Sequence, residues 1–96
     1  MRVVHWGRAR EFFKQHKNAT NPLKQWRSAV QAVKWTNFAD VRDAFSDADW
    51  VEGKIVFNIK GNDYRLIAIV EFVNETLYIR YVLTPSEYDK GNWKAK

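Results

Sequence analysis

In the first half of the chain, hydrophobic and polar positions recur with the period of a helix. After a short stretch of strand character, Arg2–His5, the segment Arg8–Lys17 sets Ala9, Phe12 and Phe13 three and four residues apart, with charge on the opposite side. This pattern predicts a short amphipathic helix. The polar run Asn18-Ala19-Thr20-Asn21-Pro22 ends it. Within that run Asn21 is the expected cap and Pro22 the expected first residue of a second helix, where a missing amide costs nothing. Leu23, Trp26, Val30 and Val33 then fall on a single apolar stripe, with Lys24, Arg27, Gln31 and Lys34 off it. A third, shorter helix over Phe38–Phe45 follows from Asn37 as its cap and from Phe38, Val41 and Phe45 at helical spacing.

After Gly53 the period changes to two. Ile55, Phe57 and Ile59 alternate with Val56, Asn58 and Lys60, and Gly61-Asn62 supplies a turn. Tyr64–Phe72 alternates with apolar residues on both faces at its middle, the mark of a central strand. Val73-Asn74-Glu75 turns the chain again. Thr76–Leu83 then puts Leu77, Ile79, Tyr81 and Leu83 on one face and Tyr78, Arg80 and Val82 on the other. The chain is expected to break at Pro85 and to end in a polar tail, Ser86–Lys96, carrying Tyr88, Asp89, Lys90 and Trp93. Helices followed by a three-strand antiparallel meander predict an α+β fold, with N-terminal helices packed on one face of a small antiparallel sheet. The other face is left for function. By alternation Lys60, Arg65 and Arg80 lie on three successive strands, and Arg65 and Arg80 can share a face on the side of Tyr78.

Length and composition narrow the functions available. Ninety-six residues make one domain, 1–96, that buries a little over roughly 60 % of its unfolded surface, enough for one modest core. With 0 Cys there is no disulfide, thiolate metal site or cysteine nucleophile. The longest uncharged apolar run, Leu66–Val70, is far too short to span a membrane, and no apolar segment of signal-peptide length follows the N-terminus. A soluble, cytoplasmic protein is expected. The net charge of +5, from 16 Lys and Arg against 11 Asp and Glu, points weakly toward a polyanionic partner. It does not say where that partner binds: residues 1–53 hold nine basic and six acidic groups, and 54–96 hold seven and five. The aromatic content of 16 %, with 5 Trp, supplies packing area and possible stacking surfaces.

Most familiar chemistries find no support. His5 and His16 lie eleven residues apart with no ligand spacing around them, so no metal site is expected. Ser28, Ser46 and Ser86 lack the companions of a hydrolase triad, and Gly61 and Gly91 form no phosphate-binding repeat. The acidic run Asp40, Asp43, Asp47, Asp49 and Glu52 reads as a solvated helix face. Lys60, Arg65, Arg80, Tyr88 and Lys90 remain. They are either solvated cations, with Arg65 and Arg80 paired to Glu71 or Glu87, or a phosphate site. RNA can be cleaved with its own 2′-hydroxyl as nucleophile, which asks a protein only to move protons and to neutralise the pentavalent phosphate. Arginine forks and an ammonium suit the phosphate; tyrosine and lysine can transfer protons.

Three stretches occur in order. They are Val56-Phe57-Asn58-Ile59-Lys60-Gly61-Asn62-Asp63-Tyr64-Arg65-Leu66, then Tyr78-Ile79-Arg80-Tyr81-Val82, then Thr84-Pro85-Ser86-Glu87-Tyr88-Asp89-Lys90. Together with Trp35, Ala39-Asp40-Val41, Phe45 and Ala48-Asp49 upstream, they resemble the HigB-type toxins of bacterial toxin-antitoxin pairs, within the RelE superfamily. The resemblance implies a RelE-like, microbial-ribonuclease-like α+β fold. It also implies a metal-independent endoribonuclease, without cofactor, that cleaves messenger RNA during translation on the ribosome. The implied partner is a HigA-type helix-turn-helix antitoxin, through which alone DNA would be contacted. On this resemblance Arg65 and Arg80 stabilise transition-state charge, Lys60 contacts phosphate or moves a proton, and Tyr88 stacks or moves a proton. Asn58, Asn62, Tyr78 and Lys90 are the further RNA contacts expected. One departure stands out: the family commonly reads Thr-His-Ala-Glu-Tyr-Asp where this chain has Thr84-Pro85-Ser86-Glu87-Tyr88-Asp89. Proline exchanges no proton, so that role passes to Lys60, Tyr88 or Lys90, or activity is weak. The alternative is a non-catalytic RNA- or ribosome-binding module of the same fold, and a third reading is a pure protein-interaction domain.

Overall fold

The computed structural model describes residues 1–95; Lys96, the end of the expected polar tail, lies outside them. In chain order come strand β1 (Arg2–Val4), helix α1 (Trp6–Gln15), a 3₁₀ turn (Lys17–Ala19), and helices α2 (Thr20–Gln31) and α3 (Phe38–Ala44). Strands β2 (Asp49–Val51), β3 (Lys54–Ile59), β4 (Tyr64–Glu71) and β5 (Thr76–Leu83), helix α4 (Pro85–Lys90) and a closing 3₁₀ turn (Asn92–Ala95) follow. This is the α+β arrangement the periodicity predicts.

The junction between α1 and α2 differs from expectation. Asn21 does not cap: the 3₁₀ turn runs straight into α2, with Ala19 at the cap position and no side-chain cap. Pro22 sits third in the helix, where it is tolerated because the first four amides of any helix have no intrahelical acceptor. Helix α3 is capped as predicted, the Asp40 amide donating to Asn37 Oδ1 at 3.1 Å.

Among the described residues the sheet has five strands in the order β1-β5-β4-β3-β2. The predicted meander β3-β4-β5 is its centre, and each edge gains a short strand. Strand β1 pairs parallel with β5, and β2 pairs antiparallel with β3. The β2–β3 link is a two-residue turn, Glu52-Gly53, with φ of 49° and 81°. Positive φ at both positions matches the twist of paired strands.

Leu23, Trp26 and Val30 of α2, Ala9 of α1 and Val41 of α3 pack on Ile55, Phe57 and Ile59 of β3, Leu66 and Ala68 of β4, and Leu77 and Ile79 of β5. Phe57 is 1 % exposed and centres an aromatic group, with the rings of Phe45, Trp26 and Trp35 at 5.2, 5.4 and 6.4 Å.

Strand β5 breaks its own alternation. Ile67 pairs with Tyr81 and Ala68 with Ile79, so Arg80 is an extra residue with no opposite number. The bulge reverses parity beyond it. Tyr81 and Leu83, predicted on the face of Leu77 and Ile79, turn instead to the far side of the sheet, and Val82 joins the main core. Strand β1 stops at Val4, opposite Tyr78, so the carbonyls beyond would be unpaired. Arg8 of α1 meets them: its Nη1 donates to the oxygens of Ile79 at 3.0 Å and Arg80 at 3.1 Å.

The far side is not the open face expected. Val56, Ile67 and a buried Trp93 form a second apolar cluster, with Val51, Tyr81, Leu83 and Tyr88 packed around it. Pro85 does not end the ordered chain either. It is the first residue of α4, whose start is a capping box: the Glu87 amide donates to Thr84 Oγ1 at 3.3 Å and the Thr84 amide to Glu87 Oε1 at 2.8 Å.

Replacing Phe57 by alanine empties the centre of the aromatic group and should cost about 3–5 kcal/mol, much of the stability of a domain this size. Urea denaturation reads it as a lowered midpoint at unchanged slope. A shift equivalent to less than about 1 kcal/mol would show that the core lies elsewhere.

Candidate active site

The far face is organised in rows across β3, β4 and β5. Asn58, Arg65 and Leu83 form the first row and Val56, Ile67 and Tyr81 the second. Arg65 is anchored by backbone: Nη1 donates to the oxygens of Asn62 at 2.9 Å and Tyr64 at 3.2 Å. Its guanidinium carbon lies 5.6 Å from the centre of the Tyr88 ring. The same ring stacks on Trp93 at 5.1 Å with planes 14° apart. Trp93 Nε1 in turn donates to the Tyr88 carbonyl at 2.9 Å, tying the closing 3₁₀ turn back onto α4.

No carboxylate neutralises these cations. Among the described residues neither Arg65 nor Arg80 makes an ion pair, and the acids expected to pair with them are engaged elsewhere. Glu71 accepts from Tyr78 Oη at 3.0 Å, and Glu87 holds the cap of α4 through Oε1. The acidic run is likewise not one solvated helix face. Asp40 accepts from the amide and hydroxyl of Thr36, and these bonds hold its carboxyl below the usual range. Asp47 accepts from Asn58 Nδ2 at 3.0 Å, while Asp49 on β2 brings negative charge to Tyr88. The nearness of Asp47 and Asp49 has little sequence signal because β2, at three residues, is too short to show alternation. Its signal is the triplet Asp49-Trp50-Val51 facing Lys54-Ile55-Val56 across Glu52-Gly53.

The remaining expected site residues are placed unequally. Asn58 stands beside Arg65, and Asn62 contributes its carbonyl. Lys60 is not on β3. It opens the four-residue turn closed by the Asp63 amide on the Lys60 oxygen, with φ of 54°, and its Nζ pairs with Asp63 at 3.0 Å. The turn consumes Lys60 because Gly61, at φ 65°, must follow it at once. Lys90 lies in the last turn of α4, and Arg80, on β5, leans over the Tyr81 ring at 5.9 Å. Tyr78 is set apart. It pairs with Ile69, four residues along β4 from Arg65, or about 13 Å at strand rise.

A profile of the HigB toxin family, the RelE-like toxic component of a toxin-antitoxin system, matches residues 19–91. The chain belongs to the HigB toxin family. The matched span runs from the end of the first 3₁₀ turn to the glycine that caps α4, and so takes in Arg65, Arg80, Tyr88 and Lys90. The mRNA interferase toxin HigB of Escherichia coli strain K12 is 31 % identical over 81 residues, covering 84 % of this chain and 78 % of that one. The mRNA interferase HigB of Shigella flexneri matches to the same extent. That of Escherichia coli O6:H1 is 30 % identical over 69 residues, covering 66 % of this chain and 67 % of its own. The RelE-like α+β fold implied by the resemblance is thus the fold of this HigB family member.

Burial in the second cluster raises the Tyr88 pKa above its ordinary value of 10.0; the charge of Asp49 adds to the rise, and Arg65 opposes it. The phenol therefore carries its proton at neutral pH, as a donor must. Because the native state favours the neutral form, this contribution to stability is complete below the unfolded pKa near 10 and is lost as pH climbs past it. The difference in tyrosinate absorbance between the parent and Tyr88→Phe should show one ionisation above pH 10. Its appearance below that value would show that burial in the second cluster does not govern the Tyr88 phenol.

Proposed function

We propose that this chain is an endoribonuclease, the toxin of a toxin-antitoxin pair, and that it cleaves messenger RNA at the Arg65–Tyr88 site. The reading is supported by the relatives that bear the name mRNA interferase. The observation that carries it to particular residues is Arg65 itself. It is a guanidinium fixed by two carbonyls, without a carboxylate partner, and set against a tyrosine that keeps its proton. A preorganised cation with spare N–H donors is what a pentavalent phosphate requires.

In this mechanism the 2′-oxygen of the RNA bonds to phosphorus and the bond to the 5′-oxygen breaks. Arg65 takes up the charge that develops on the phosphoryl oxygens, and Tyr88 protonates the leaving 5′-oxygen. The 2′-hydroxyl proton passes to the Asp49 side of the site, where a carboxylate already acts on Tyr88. Arg80 adds positive charge along the strand path, with Asn58, Asn62 and Lys90 as nearby RNA contacts. Lys60, tied to Asp63, contacts phosphate at the rim. Tyr78 belongs to a separate surface. Stacking on Tyr88 is dropped from the scheme, since its ring already meets Arg65 and Trp93. The step needs no metal.

A HigA-type helix-turn-helix antitoxin, translating ribosomes and the cytoplasm complete the proposal as partners and setting. Among the described residues no helix is long and apolar enough to cross a membrane. One observation favours the second reading, a binding module without catalysis: Pro85 opens α4 where relatives of this family commonly carry a histidine.

The two readings separate in a translating cell-free extract by mapping of new 5′ ends. Cleavage should occur, should leave a 2′,3′-cyclic phosphate on the upstream fragment as attack by the 2′-oxygen requires, and should fall about a hundredfold in Arg65→Ala, the usual loss for one preorganised transition-state contact. RNA binding without cut ends would establish the binding module. Equal cutting by Arg65→Ala would move the active site elsewhere.

A further inference from the structure

The bulge at Arg80 does more than reverse a strand. It spends a residue without a pairing partner, and in return places the Tyr81 ring and Leu83 on the far face, where they wall a pocket of about 290 Å³. Trp93, 2 % exposed, is the third apolar surface, and Glu87, Lys90 and Asn92 form the polar rim. An apolar slot with flat aromatic walls and a few polar groups at its edge is the form of a site for one planar ring. The volume lies at the small end of ligand sites, too small for a peptide helix or a duplex.

Charge surrounds the slot in the sense an RNA strand needs. The Arg80 guanidinium lies 5.9 Å from the centre of the Tyr81 ring, and Lys90 is exposed with no ion pair among the described residues. The slot is joined to the Arg65 site through stacked rings. Arg65 meets Tyr88, Tyr88 stacks on Trp93, and Trp93 lines the slot. Glu87 is held by its Oε1 on the Thr84 amide and hydroxyl, which leaves the other oxygen to accept a bond. The Asn92 amide can both donate and accept.

We propose that this slot receives one unstacked nucleobase of the RNA, from a nucleotide flanking the cleaved phosphate. The base stacks on Tyr81, its edge meets Asn92 and Glu87, and Arg80 and Lys90 hold the adjoining phosphates. The slot rests on the endoribonuclease reading and gives it a source of base preference.

The test maps cut sites in the same translating extract for the parent, Tyr81→Ala, Tyr81→Phe and Asn92→Ala. The parent should show a base bias at one position next to the cut. Tyr81→Ala should lower cutting at the favoured sites about tenfold or more, the usual loss for one stacked base, and flatten the bias. Tyr81→Phe, which keeps the ring, should retain both rate and bias. Asn92 is exposed, so Asn92→Ala keeps the fold and should change which base is preferred. If Tyr81→Ala and Asn92→Ala cut with the parent's rate and bias, the slot holds no base. If they cut normally but lose the antitoxin complex, the slot is a protein contact and the proposal falls. No cutting by the parent at all would instead defeat the endoribonuclease reading from which the slot was argued.

Discussion

Successive residues of a strand point to opposite faces, so one residue left out of the pairing exchanges the faces of everything after it. In β5 that residue is Arg80, and the exchange turns Tyr81 and Leu83 away from the helices. There they join Val56, Ile67 and Trp93 in a second apolar cluster, which holds α4 to the sheet. Tyr88 is brought to Arg65 by that docking and by nothing in the main core. Beside the bulge β1 has already stopped, and there Arg8, from the opposite end of the chain, satisfies the carbonyls of Ile79 and Arg80 at the open edge of β5. A regular β5 would send Tyr81 toward the helices and leave α4 without a floor.

Placement of charge within this frame matters more than its total. The carboxylates expected to pair with the arginines are engaged, Glu71 by Tyr78 and Glu87 by the α4 cap, and Asp47 bonds to Asn58. Arg65 rests on carbonyl dipoles instead, which orient the guanidinium without cancelling its charge. Forgoing a carboxylate partner costs the fold little, since an exposed ion pair contributes only about 0–1 kcal/mol. The same substitution of dipoles for charge leaves a cation available to an incoming phosphate. Tyr88 carries the complementary property, because the apolar surface that stacks on it also keeps its proton in place.

Long periodic segments were legible from the sequence and short devices were not. The stripe Leu23, Trp26, Val30 and the alternation of Ile55, Phe57, Ile59 each had several residues to declare a period, and both became core. Strand β2 has three residues, too few to show alternation, although Glu52-Gly53 marked its turn. Helix α4 carries its signal in Thr84-Pro85-Ser86-Glu87, a capping box with proline at the first helical position, but its six residues are too few to show a period. The bulge left no trace in the sequence: Tyr81-Val82-Leu83 is apolar in either parity, so only pairing decides which residues face the core. For the same reason the residue types of the site could be found while their grouping could not. Arg65 and Tyr88 meet, Lys60 falls into a turn, and Tyr78 sits two rows too far along.

The two apolar clusters differ in what they hold. The larger unites α1, α2, α3 and the near face of the sheet; the smaller fastens only the last turns of the chain. Release of residues 85–95 would therefore uncover Val56 and Ile67 while Phe57, Leu66 and Ile79 stayed packed. Segments with few buried contacts open at a free energy well below that of global unfolding. In this protein such a segment carries Tyr88, Lys90 and Trp93, so the site can come apart and reassemble while the domain remains folded.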